Sequence, residues 1–192
     1  KWIVVAIILV IGPYTFLTLR YRKPGPAFKP YEDMQNRANV ARLLAAGYQR
    51  IPLPAHLPSD PLRGATNAAP FSAATGGLPD GLRATLVTQP LLPNAITNLA
   101  AAPEVAAQQP YTIRFACTLP DEQRQLAGAD LYVHGDEIII APDYQKLGGQ
   151  LLSRSRDNVV ELVVPAGALK PGRYRVVLTG AQASRTWTLQ VK

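Results

Sequence analysis

Cysteine is almost absent from this 192-residue chain. The single Cys117 rules out an internal disulfide and leaves the redox compartment unreadable from cysteine usage. Histidine is nearly as scarce. His56 lies among prolines and His134 at a strand end, so a His-rich metal site is impossible without a second chain. One methionine, Met34, argues against a copper site built from thioethers. Carboxylates placed for acid/base work are also missing: Asp121 with Glu122 and Asp136 with Glu137 are adjacent and face opposite sides of an extended chain. Asp121 and Asp136 read more simply as turn residues. Gly76-Gly77 and Gly148-Gly149 lack the lysine or helix start that a phosphate cradle needs. Only Cys117 with His134 leaves a nucleophilic or soft-metal pair open, and a lone strand cysteine is more often a small buried hydrophobe. The expectation is a protein that is not an enzyme, with no catalytic residue, metal or cofactor.

Negative charge is in short supply as well, and the net charge is +7. Its distribution decides what that means. Residues 1–50 hold 8 basic and 2 acidic side chains, 51–110 hold 2 and 3, and 111–192 hold 10 and 8. The excess is therefore amino-terminal, which suits anionic lipid headgroups and not nucleic acid.

What the chain has in quantity is apolar sequence at its start. Residues 2–19 (WIVVAIILVIGPYTFLTL) carry no charge and are closed by Arg20, Arg22 and Lys23. Eighteen residues of helix span roughly 27 Å, close to the hydrocarbon thickness of about 30 Å, and the run reads as a transmembrane anchor over 1–22. A cleaved signal peptide fits less well, because Tyr14, Phe16, Leu17 and Leu19 stand where a peptidase needs small residues. Pro13 is expected to bend the helix. Tyr14, Thr18 and Tyr21 follow helical spacing and form its more polar face, expected to meet a partner helix or headgroups. Arg20, Arg22, Lys23 and Lys29 are expected to contact anionic headgroups.

Orientation is contested by two signals. The basic residues after the run would hold the carboxyl-terminal side in the cytoplasm. A chain beginning with Lys is expected to lack upstream residues that carry deciding charges, and a Pro/Ala-rich tether leading to a β domain is a common exported form. The reading adopted is a single-pass membrane protein with an extracytoplasmic, periplasmic domain.

Beyond the anchor, 23–50 reads as a basic juxtamembrane segment with a short amphipathic helix. Pro30 near its first turn, Glu32 and Asp33 at its positive end and Gly47 after its last turn mark the limits. Met34, Ala38, Ala41 and Ala45 form a weak apolar stripe flanked by Val40 and Leu44. This face is expected to lie on a membrane or another protein, with packing on the chain's own domain as the alternative. Residues 51–110, with prolines throughout, read as an extended Pro/Ala-rich linker draped along a partner. Within it 83–89 (RATLVTQ) is a candidate strand and 94–102 a candidate helical turn.

Residues 111–192 alternate like strands, at 111–117, 129–134, 137–141, 158–164, 173–179 and 186–191, with Gly, Pro, Asp and Asn between them. The pattern predicts an all-β, immunoglobulin-like sandwich in which Tyr174, Val176 and Leu178 share one face and Trp187, Leu189 and Val191 another. The stretch 169–191, a leucine, then Pro-Gly-Arg-Tyr, an alternating strand, a turn and a Trp-containing strand, resembles the FixH-type accessory proteins linked to cytochrome oxidase assembly. That resemblance implies a non-enzymatic helper of a respiratory membrane complex. The expected function is thus a non-catalytic accessory subunit that binds other membrane subunits through helix and linker. A tethered binding module for a polysaccharide, peptide or assembly client is the alternative.

Overall fold

A computed structural model describes residues 2, 11–16, 20, 30–58, 69–148, 151–153 and 155–192. The chain divides into two units, Lys1–Met34 and Gln35–Lys192. In the first, Trp2, residues 11–16 and Arg20 are helical. The carboxyl-terminal half of a helix over Pro30–Ala45 belongs to the second.

The second unit is built on one sheet of eleven strands. In chain order these are β1 (Gln49–Leu53), β2 (Ala55–His56), β3 (Ser72–Thr75), β4 (Ala95–Ala101), β5 (Glu104–Val105), β6 (Tyr111–Thr118), β7 (Arg124–His134), β8 (Glu137–Lys146), β9 (Asp157–Val164), β10 (Gly172–Leu178) and β11 (Ala183–Val191). The spatial order is β1-β7-β8-β10-β11-β4-β6-β9-β2, with β3 and β5 attached to β11. Because β1 and β2 are consecutive in the chain yet sit at opposite ends of that order, residues 49–56 bring the sheet back on itself. Leu53 pairs with Ala129 of β7, and Ala55 pairs with Leu162 of β9. Pro54 stands between them, where the strand changes neighbour and owes no ladder hydrogen bond. The sheet curls into a nearly closed barrel. Its loosest joint is between β11 and β4, which meet in register only at Ala183 and Ala95.

This corrects the expected architecture. An immunoglobulin-like sandwich has two facing sheets, whereas here one continuous sheet encloses the core. The segment read as a linker supplies five strands, and a short helix, Asp80–Thr85, forms where 83–89 read as a strand. Residues 94–102, read as a helical turn, form β4. The transmembrane helix expected at the amino terminus is not supported either: among the described residues no helix is long and apolar enough to cross a membrane. Most of that expected anchor, residues 3–10, 17–19 and 21–22, lies outside the described residues.

The barrel interior follows from alternation. Along β6 every second residue is buried, Tyr111, Ile113, Phe115 and Cys117 pointing inward. The expected inward faces of β10 and β11 are there too: Tyr174, Val176, Leu178, Trp187, Leu189 and Val191 all belong to the core. Polar groups inside are paired. Trp187 Nε1 donates to Tyr111 Oη at 3.0 Å, and that hydroxyl donates to the Ala102 carbonyl at 2.8 Å. Among the described residues no buried side-chain nitrogen or oxygen lacks a partner.

Strand β8 departs from alternation, since Ile138, Ile139, Ile140 and Ala141 are all buried. The apolar run has a physical cause: both faces of the strand are covered. Ile138 and Ile140 enter the interior, while Ile139 and Ala141, with Tyr132, meet Leu43, Leu78, Leu82 and Leu86 on the outside. Leu43 comes from the Pro30–Ala45 helix and Leu82 from the short helix, so both helices are held on the barrel by this second cluster. The long helix ends as its sequence implies. Gly47 adopts a left-handed φ of 79°, and the Tyr48 N–H closes back on the Leu43 carbonyl at 2.9 Å. Over residues 34–45, whose burial is described, the buried residues on this helix are Asn39 and Leu43, and the expected stripe of Met34, Ala38, Ala41 and Ala45 is exposed.

Candidate functional site

At the margin of the outer cluster, polar side chains from four elements converge on a cleft of about 130 Å³. The long helix contributes Asn36 and Asn39, β1 contributes Arg50, β7 contributes Asp130 and Tyr132, and β8 contributes Asp143. The sheet geometry accounts for this. Asp130 and Tyr132 alternate with inward Leu131, so both point outward, and Arg50 stands opposite Tyr132 in register. Arg50 Nη2 lies 2.8 Å from Asp130 Oδ2, and the Tyr132 hydroxyl donates to the same oxygen at 3.3 Å. Asp143 accepts the Leu91 N–H at 2.9 Å, and Asn39 Oδ1 accepts the Val87 N–H at 2.5 Å. The first bond ties the segment after the short helix to β8, and the second ties it to the long helix.

The electrostatics are uneven. Burial pushes the Asp143 carboxyl above the usual carboxylate range, with Asp130 adding to it while the Leu91 N–H and Arg50 act the other way. Burial, reinforced by Asp130, likewise pushes the Tyr132 hydroxyl up. The cleft therefore offers one carboxylate neutralised by Arg50, one half-buried carboxylate bonded only through backbone N–H groups, and two amides. Such a set has the donors and acceptors to hydrogen-bond a small polar group.

A second polar pair lies inside the barrel. Cys117 Sγ and Tyr144 Oη are 3.1 Å apart, both residues fully buried. Burial pushes the thiol and the phenol up, which keeps both protonated and suits packing, not nucleophilic work.

The residues singled out from sequence fall in several places. Cys117 and His134 are not brought together: His134 is exposed at the end of β7, its ring 4.8 Å from that of Tyr48. His56 is exposed in β2. Asp121 acts as a turn residue, accepting the Gln123 N–H at 3.0 Å and pairing with Arg124 at 3.2 Å. Among the described residues no three of His, Cys, Asp and Glu group to hold a metal ion. Tyr14 and Arg20 are helical and exposed. Thr18, Tyr21, Arg22, Lys23 and Lys29 lie outside the described residues. Sequence reasoning missed the cleft altogether, although its signal was present in the charges that interrupt apolar strands at Asp130 and Asp143.

No protein-family model, no curated protein and no solved structure matches this chain.

Proposed function

We propose that the chain is a non-catalytic accessory subunit of a membrane protein complex, in which neighbouring subunits cover its amino-terminal apolar segment. The observation carrying this reading is the exposure of large apolar side chains there: Trp2 is 87% exposed, Ile11 56%, Tyr14 71% and Phe16 62%, within a stretch free of charge. Apolar surface of this kind marks an interaction site. The barrel supports the reading from the other side, because its inner and outer clusters are satisfied within the chain and leave it a self-sufficient body to be held in place. The resemblance of residues 169–191 to FixH-type proteins makes respiratory complexes the first in which to look. Purification of the full chain from its membranes in mild detergent tests the reading. Stoichiometric co-purifying subunits are expected, and recovery of a lone monomer overturns it.

A further inference from the structure

The outward face of the β10–β11 hairpin carries arginines that the rest of the barrel does not resemble. On β1, β6 and β7, Arg50, Arg114 and Arg124 each face a carboxylate, Asp130, Glu161 and Asp121. On β10, Arg173 and Arg175 project outward from alternate positions; their register partners on β11 are Gln190 and Thr188, and on its other side Arg175 stands beside Glu137 of β8 without forming an ion pair with it. Both side chains are exposed, and neither has a hydrogen bond or ion pair among the described residues. Nearby, Arg185 donates from Nε to the Ile96 carbonyl at 3.1 Å and stands 5.6 Å from the Phe71 ring centre, again without a carboxylate.

Arg173 and Arg175 border two open concavities that adjoin at Pro70 and Thr188. One, of about 340 Å³, lies beside Arg173 and Pro103, and the other, of about 520 Å³, lies beside Arg175, Phe71 and Trp187. Two guanidinium groups that form no ion pair among the described residues, next to apolar side chains, therefore line one continuous shallow track.

We propose that this face docks an extended acidic segment of a partner protein. Side chains two apart on an extended chain repeat every 6.6 Å or so, which is also the spacing of Arg173 and Arg175 along β10. A segment with carboxylates at alternate positions can therefore meet both guanidinium groups at once, leaving an apolar side chain to lie against Phe71 and Pro70. Nucleic acid fits this track poorly. Glu104, paired with Lys192, lines the concavity beside Arg173, and Glu137 stands beside Arg175 in register, so the track can take only a few anionic groups. The inference goes beyond the accessory-subunit reading and does not rest on the amino-terminal segment.

The test is fluorescence anisotropy of the full chain with a fluorescein-labelled peptide, Glu-Leu-Glu-Leu-Glu, at low and at high salt. Binding that weakens as salt rises is expected. Arg173→Gln and Arg175→Gln should each weaken it about two- to fivefold, and the double variant by roughly the product. Arg37→Gln, which removes an exposed cation on the long helix, should leave it unchanged. The proposal is overturned if the peptide does not bind, if the Arg37 variant weakens it as much as the hairpin variants, or if a single-stranded oligonucleotide or anionic phosphatidylserine vesicles bind the same face more tightly. Circular dichroism of each variant confirms that these surface changes leave the barrel folded.

Discussion

Replacing Leu43 by Ala tests whether the Pro30–Ala45 helix is part of the barrel or merely precedes it. Leu43 is 1% exposed and packs among Leu78, Leu82, Leu86, Tyr132, Ile139 and Ala141. Losing that contact removes a transfer term of about 1.5–3 kcal/mol and leaves a cavity, for a total of about 2–5 kcal/mol. The next residue is a matched control. Leu44 is 67% exposed on the same helix turn, so Leu44→Ala changes propensity identically but should shift stability by no more than about 0.5 kcal/mol. Urea unfolding followed by Trp187 fluorescence, in a Trp2→Phe background, reports the difference. Trp187 is 4% exposed in the core and loses its surroundings on unfolding. A midpoint that drops for Leu43→Ala alone, with unchanged slope, is expected. Equal midpoints for the two variants refute the packing of this helix on the sheet.

Three further outcomes follow from the same geometry. The folded state holds the Asp143 proton to higher pH than the ordinary 3.8, so stability falls as pH rises through the interval above 3.8 and the penalty is fully present beyond it. Asp143→Asn keeps an acceptor for Leu91, so its urea midpoint at pH 7 should equal or exceed that of the parent, with the advantage vanishing below about pH 4. Tyr111 is pushed up to about 12 by burial, with its bond to Trp187 acting the other way. Unfolded tyrosines ionise near pH 10, so stability should decline between about 10 and about 12. Tyr111→Phe, monitored by alkaline urea titration, should be less stable at neutral pH by about 1 kcal/mol yet show a shallower decline. Finally, trypsin should cut the native protein after Arg50 only at the rate of unfolding, because β1 is paired with β7. Cleavage there at the rate of a free peptide, read by mass spectrometry, would mean that residues 49–56 do not close the barrel.

The later strands were legible because their apolar residues alternate. The six stretches read between 111 and 191 correspond to β6 through β11, and the faces assigned to β10 and β11 are the buried ones. Earlier in the chain the same reasoning failed for identifiable reasons. In β4 the register slips between Ile96 and Asn98, so the buried Ile96 and Leu99 fall three apart, a spacing that mimics a helix. The short helix carries Leu82, with Leu86 four residues on at its C-cap, but six residues are too few to show a helical period. The prolines of 51–110 suggested an extended linker draped along a partner, yet Pro52 and Pro54 mark the place where one strand leaves β7 for β9. Closure of a sheet depends on pairing across more than a hundred residues, as between Ala55 and Leu162, and local pattern carries no trace of it. The long helix was placed correctly by its caps; Leu43 packs it on the chain's own domain, the alternative reading, while the stripe of Met34, Ala38, Ala41 and Ala45 expected to meet a membrane or another protein is exposed. Asp130 and Asp143 could be noticed as charges interrupting apolar strands, but their convergence could not, because the cleft's members come from residues as far apart as 36 and 143, joined only by the fold.

The role of the amino-terminal segment is tested most directly by a photo-crosslinking residue in place of Phe16, which is 62% exposed in the structure. Illumination of intact membranes that contain the full chain, followed by denaturing electrophoresis and mass spectrometry, shows what lies against that position. Coverage by a neighbouring subunit predicts a discrete adduct with one or two protein partners. Adducts with lipid alone, or none, would contradict it.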